Sequence, residues 1–131
     1  MSVVLDSWAV LRFLEDAGTA AEHVAKLLDQ QRPLMCWINM GEVFYVLRRL
    51  HGEPAATETV RDLRLDIDVQ LPDERLVLDA ARIKAEHAMS YADAFAAAFT
   101  ITNDAVLWTG DPELLITPAA WRWKDLRPAA L

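Results

Sequence analysis

The sequence predicts an α/β protein built on a mainly parallel sheet. Three observations carry this. Short apolar runs, Val3-Val4-Leu5, Leu34-Met35-Cys36-Trp37-Ile38 and Ala105-Val106-Leu107-Trp108, have the pattern of strands buried on both faces. Between them lie segments whose apolar residues recur at helical spacing. Strand and helix signals alternate along the chain, so consecutive strands are expected to run parallel, joined by right-handed crossovers.

The elements are read in order. Trp8, Val10, Leu11 and Leu14 set a helix over Ser7 to Asp16, capped by Asp6 or Ser7 and ended by Gly18. Ala20 to Asp29 is a second helix, with Val24, Leu27 and Leu28 on one face. The next strand, Leu34 to Ile38, follows Pro33, which a strand start tolerates. Asn39 opens a strong helix with Val43, Phe44, Val46, Leu47 and Leu50 as its apolar face, and His51-Gly52 closes it. Glu53-Pro54 starts a helix running to Leu65. Asp66 to Leu71 alternates polar and apolar residues, as a half-exposed edge strand does. Pro72-Asp73 begins a helix to His87, and Tyr91 to Thr102 is so rich in Ala and Phe that it reads as a central buried helix. Beyond the last buried strand, Glu113 to Ile116 forms a short helical turn and Trp121-Arg122-Trp123 a final edge strand.

At 131 residues the chain fits one domain with a sizeable core. A hydrophobic share of 53% excludes a disordered chain, and no apolar run approaches the roughly 20 residues of a membrane span. No basic segment precedes the first apolar stretch, which Asp6 interrupts, so no secretion signal is read and a cytoplasmic location is expected. The single Cys36 excludes an intrachain disulfide and a cysteine zinc cage. A net charge of −7 argues against binding nucleic acid through bulk charge. It leaves room for acids gathered around a hard cation, or for a basic partner.

Four acids stand where such a cation site would form. Asp6 follows the first strand. Glu42 lies in the first turn of the helix after the second. Asp93 lies in the first turn of the Ala-rich helix, and Asp111 follows the Ala105–Trp108 strand. In an open parallel sheet the ligand crevice lies outside the carboxyl ends of the strands, so Asp6, Glu42 and Asp111 can meet there, and Asp93 joins if its helix starts at the same edge. Oxygen-only donors suit Mg²⁺ or Mn²⁺ rather than Zn²⁺. Taken singly, each acid has a plainer reading as a helix cap: Asn39-x-x-Glu42 and Ser90-x-x-Asp93 have capping-box spacing, and Asp111-Pro112 is an N-cap with Pro behind it. Context favours the site, because all four flank segments predicted to be buried.

Val3-Val4-Leu5-Asp6-Ser7, Asn39-Met40-Gly41-Glu42-Val43, Ser90-Tyr91-Ala92-Asp93-Ala94 and Trp108-Thr109-Gly110-Asp111-Pro112 resemble, in order and spacing, the four acidic motifs of PIN-domain nucleases. Over nearly the whole chain the pattern is most similar to the VapC-type toxins of toxin–antitoxin pairs. The resemblance implies a three-layer α/β/α fold and an Mg²⁺- or Mn²⁺-dependent endoribonuclease, often acting on structured RNA such as tRNA. It also implies an antitoxin partner and a homodimer. Matched to these motifs, Asp6, Asp93 and Asp111 are the expected direct ligands, and Glu42 acts through water as ligand or base. Ser7 and Thr109 would orient carboxylates, and Arg12, Arg48 and Arg49 would face RNA phosphate. Trp121 and Trp123 are assigned to packing, Cys36 to the core, and the three histidines to no site. Two alternatives stand beside this reading: a catalytically silent binding module, and a metal phosphohydrolase of small substrates. Trp8 stands where a phospho-Asp phosphatase would carry its second acid.

Overall fold

The computed structural model describes residues 1–15 and 18–129. Among them five strands form one sheet: β1 (Val3–Leu5), β2 (Leu34–Cys36), β3 (Asp68–Gln70), β4 (Val106–Thr109) and β5 (Arg122–Asp125). Their spatial order is β3-β2-β1-β4-β5, and every pairing is parallel. The chain lays strands to one side of β1 and then to the other. The topological switch therefore falls between β1 and β4, the place where open α/β sheets leave a crevice.

Alternation along the strands divides the core in two. Val3, Leu5, Met35 and Trp108 face α1 (Ser7–Leu14), α2 (Gly18–Gln30), α3 (Trp37–His51) and α4 (Glu53–Asp66). Val4, Cys36 and Leu107 face α5 (Glu74–Glu86) and α6 (Tyr91–Thr102). This is the expected α/β/α arrangement of three layers. Helix α6 is buried at every position from Asp93 to Thr100, which its Ala-Phe composition required.

Several boundaries differ from expectation. Helix α3 starts at Trp37, because β2 ends at Cys36 after three residues, and so Asn39 is no cap. It lies within the helix, fully buried, and its Nδ2 donates to the Ala92 carbonyl at 3.0 Å. Gly18 opens α2, at φ 81°, and the expected end of α1 at Asp16 lies outside the described residues. Helix α4 runs through Asp66, and β3 begins only at Asp68, whose N–H donates to the Pro33 carbonyl at 2.8 Å. The outer strands β3 and β5 are edges, as expected. Trp121 and Trp123 are packing residues: their indole N–H groups donate to the carbonyls of Leu114 and Ile116. No helix of the described residues is long and apolar enough to cross a membrane.

Candidate active site

Register builds the site. Leu5 stands opposite Trp108, so the next residues, Asp6 just past β1 and Thr109 at the end of β4, stand side by side at the carboxyl edge. The Thr109 hydroxyl donates to Asp6 Oδ2 and accepts from the Asp111 N–H at 3.0 Å. The other Asp6 oxygen, Oδ1, accepts from the Ala9 N–H at 2.9 Å, so Asp6 also caps α1. Gly110 is required by close approach: a Cβ there would lie 2.3 Å from the Trp8 ring.

Helix α6 delivers Asp93 to the same place. Ser90 caps it, its Oγ accepting from the Asp93 N–H at 3.1 Å, and Asn39 ties Ala92 to α3. Asp93, Asp111 and Glu113 each offer a carboxylate oxygen within 4.8 Å of the others. Glu113 was not singled out by the motif pattern. Its sequence signal is its place two residues after Asp111 in a tight turn, where its N–H donates to Asp111 Oδ1 at 2.9 Å. Its Oε2 accepts from the Ser90 N–H at 3.0 Å, which links the turn to the start of α6. Glu42 stands at the rim. Ser7 Oγ donates to its Oε1 at 2.5 Å, and the Tyr45 hydroxyl reaches Oε2 at 3.5 Å.

The electrostatics are those of crowded, buried acids. Burial pushes the Asp6 carboxyl up to about 7, against hydrogen bonds from Thr109 and Ala9, and the charges of Asp111 and Glu42 add to the rise. Burial raises Asp93 to about 8, helped by a hydrogen bond shared with Asp111 and by the charges of Asp111, Asp6 and Glu113. All four expected acids thus gather at one strand edge, with Asp93, Asp111 and Glu113 as the tightest group.

The three expected substrate arginines are spread more widely. Arg12 lies over the Trp8 ring at 4.9 Å and pairs with Glu15 at 2.7 Å. Arg49 lies over Tyr45 at 5.7 Å, on the α3 stripe that begins at Glu42. Arg48, in the last turn of α3, turns its charge to Glu53 at 3.0 Å.

Residues 3–119 match the PIN domain family. The chain is a PIN domain. Solved structures share its fold. VapBC2 from Rickettsia felis, bound to a fragment of its promoter DNA, superposes with a TM-score of 0.76 at 11% identity, over 97% of this chain and 100% of that one. VapBC-1 from nontypeable Haemophilus influenzae gives 0.75 at 20% identity, over 96% and 98%. VapC20 from Mycobacterium tuberculosis, a sarcin–ricin loop cleaving toxin, gives 0.70 at 23% identity, over 86% and 92%. Comparison with curated proteins finds no significant match. The acids of this PIN domain lie at its topological switch point, between β1 and β4.

Proposed function

We propose that this PIN domain is a divalent-metal-dependent endoribonuclease and the toxin of a type II toxin–antitoxin pair. The observation that carries the reading is the meeting of Asp6, Asp93, Asp111 and Glu113, from three separate stretches of chain, at the carboxyl edge of β1 and β4. Two of these carboxyls are held up near neutrality by burial and mutual repulsion, a conflict that a divalent cation relieves. The donors are all oxygen, which fits Mg²⁺ or Mn²⁺. Asp93, Asp111 and Glu113 are the nearest set to hold the ion, with Asp6 behind them. The bound cation would supply Lewis-acid activation of water and neutralise charge on the phosphodiester.

The chain's own residues do the positioning. Thr109 holds Asp6 and the Asp111 backbone in one geometry, and Ser7 holds Glu42 at the rim. Glu42 orients the attacking water or takes its proton. Arg49 faces the substrate backbone from α3, and Arg12 from α1 can join it only by giving up its pairing with Glu15. Arg48 has less to offer, because Glu53 already engages it. The likeness to VapB–VapC complexes supports an antitoxin partner. A homodimer in the cytoplasm, with the antitoxin over the acids, is part of the same proposal.

The test is cleavage of an RNA pool, tRNA included, by the purified protein with Mg²⁺ or Mn²⁺, beside an Asp93→Asn variant. Cleavage should need the ion and stop with EDTA. The variant should lose ~100-fold or more, since even residues that only orient metal ligands are worth about 10–100-fold. Equal cleavage by both proteins, or by neither, would sink the nuclease reading. Release of phosphate from small esters alone would favour the phosphohydrolase.

A further inference from the structure

We infer that a groove lined by Arg32, Arg61 and Arg64, at the outer edge of the sheet, is a docking surface for RNA phosphates. This rests on the endoribonuclease reading and adds to it the surface that holds the substrate strand.

Arg61 and Arg64 sit three residues apart on α4, on one face of the helix. With Arg32, Leu65, Ile67, Asp68 and Val69 they line a depression of about 300 Å³ along the outer edge of β3. A second depression of about 210 Å³, lined by Phe44, Thr57 and Val60, shares the same two arginines and extends the groove along α4. Arg32 is fixed by donating from Nη2 to the Arg64 carbonyl at 3.1 Å. The Arg64 guanidinium is held over the Trp37 ring, 5.1 Å from its centre.

Charge identifies the occupant. The chain carries 20 acids against 13 basic residues, yet none of the described acids pairs with these three arginines. The ion pairs engage Arg12, Arg48, Arg82, Arg122 and Arg127 instead. The one carboxylate in the groove, Asp68, accepts from Gln70 Nε2 at 3.1 Å. Among the described residues Arg49 and Arg75 also lack an ion pair, but here three unpaired guanidiniums share one groove against a single carboxylate, an excess of positive charge that suits an external anion. All three are Arg rather than Lys, and the planar fork of Arg matches phosphate oxygens two at a time.

Position ties the groove to the acids. Val4 stands opposite Leu34, so Cys36 is level with Asp6, and Trp37 follows at the same strand edge. Arg32 precedes β2 and Ile67 and Asp68 open β3, so the groove lies at the amino ends of these short strands, and the Arg64 guanidinium over Trp37 is the part of it that reaches toward the edge carrying Asp6. At ~4.8 Å between neighbouring strands, β3 lies about 10 Å to the side of β1, a span of a few phosphates for an RNA strand. A strand cut at the acids and continuing down over the outer edge of β3, with β1, β2 and β3 each only three residues long, would bring its backbone to the groove, where repulsion by the acids is replaced by attraction.

The experiment measures binding of a fluorescein-labelled single-stranded oligoribonucleotide of mixed sequence across a salt series. The Asp93→Asn protein is used so that the probe stays intact. Against it stand the triple variant Arg32→Gln/Arg61→Gln/Arg64→Gln and the single Arg61→Gln, whose side chain makes no hydrogen bond or ring contact among the described residues. Each lost phosphate contact should flatten the slope of log K against log salt by about 0.7, so about 2 for the triple variant, with a tenfold or greater loss of affinity near physiological salt. Arg75→Gln, on α5 across the sheet, should bind as the parent does. Unchanged affinity and slope in both groove variants, with melting temperatures preserved, would overturn the inference. So would a triple variant that keeps RNA but loses binding to poly-glutamate, which would give the groove to an acidic protein segment. A parent that binds no RNA overturns it as well. A parent whose binding depends on the three arginines, while the wild type cleaves nothing with Mg²⁺ or Mn²⁺, supports the groove and sinks only the nuclease reading.

Discussion

One hydroxyl, that of Thr109, sets the geometry of two acids. It is fully buried, donates to Asp6 and accepts from the Asp111 N–H. Thr109→Val keeps the shape and leaves the buried Asp6 Oδ2 and the part-buried Asp111 N–H without this partner. Each such loss costs about 1–3 kcal/mol. We expect the variant to unfold at a lower urea concentration, by roughly 2 kcal/mol, and Thr109→Ser to recover most of the difference because it restores the hydroxyl. Equal midpoints for Val and wild type would mean that the bond contributes nothing. At this scale the sequence was partly legible. Asp6, Asp93 and Asp111 announce themselves by following apolar strands or opening an apolar helix, and the hydroxyls of Ser7 and Thr109 stand next to acids. Glu113 did not announce itself. It is exposed, follows a proline, and comes to Asp93 only because the turn after Asp111 folds back onto the cap of α6. Asn39 was misread for a related reason: its spacing to Glu42 is that of a capping box, but the helix had already started two residues earlier.

The elements were more legible than their ends. Buried strands and the Ala-rich helix follow from composition alone, because only a segment covered on all sides is apolar on all sides. Their ends depend on packing that spacing does not encode. Helix α3 begins early because β2 is only as long as its partner β1. The contact between α1 and β4 is a further case. The Trp8 ring occupies the volume a side chain at Gly110 would need. Gly110→Ala must push the indole aside, and overpacking of this kind typically costs ~1–3 kcal/mol. In a Trp8→Leu background the same change should cost little. A double-mutant cycle by urea denaturation reads the coupling directly, and a zero coupling energy would remove the contact as the reason for glycine.

At the scale of the whole molecule, a chain of net charge −7 concentrates several acids at one edge and gathers three unpaired arginines in a groove at the outer side of the sheet. Two of those acids make stability depend on pH in a definite direction. Asp6 and Asp93 titrate near 7 and 8 in the folded protein, against an ordinary 3.8. Between those values the folded state keeps protons that the unfolded chain has already released. Stability therefore falls as pH rises across this window. The contribution is fully present below about 4 and is gone once the pH has passed about 8. In EDTA the melting temperature should drop between pH 5 and pH 8. A divalent cation binds the deprotonated carboxylates and so competes with protons for the same oxygens. Added Mn²⁺ should therefore raise the melting temperature more at pH 8 than at pH 6, by an amount that grows with its free concentration. Asp93→Asn, which is neutral at every pH, should flatten the EDTA profile and remove most of the Mn²⁺ effect. A metal-free profile that rises through this window would show that Asp6 and Asp93 are not held protonated. A Mn²⁺ effect equal in wild type and Asp93→Asn would show that the cation binds elsewhere.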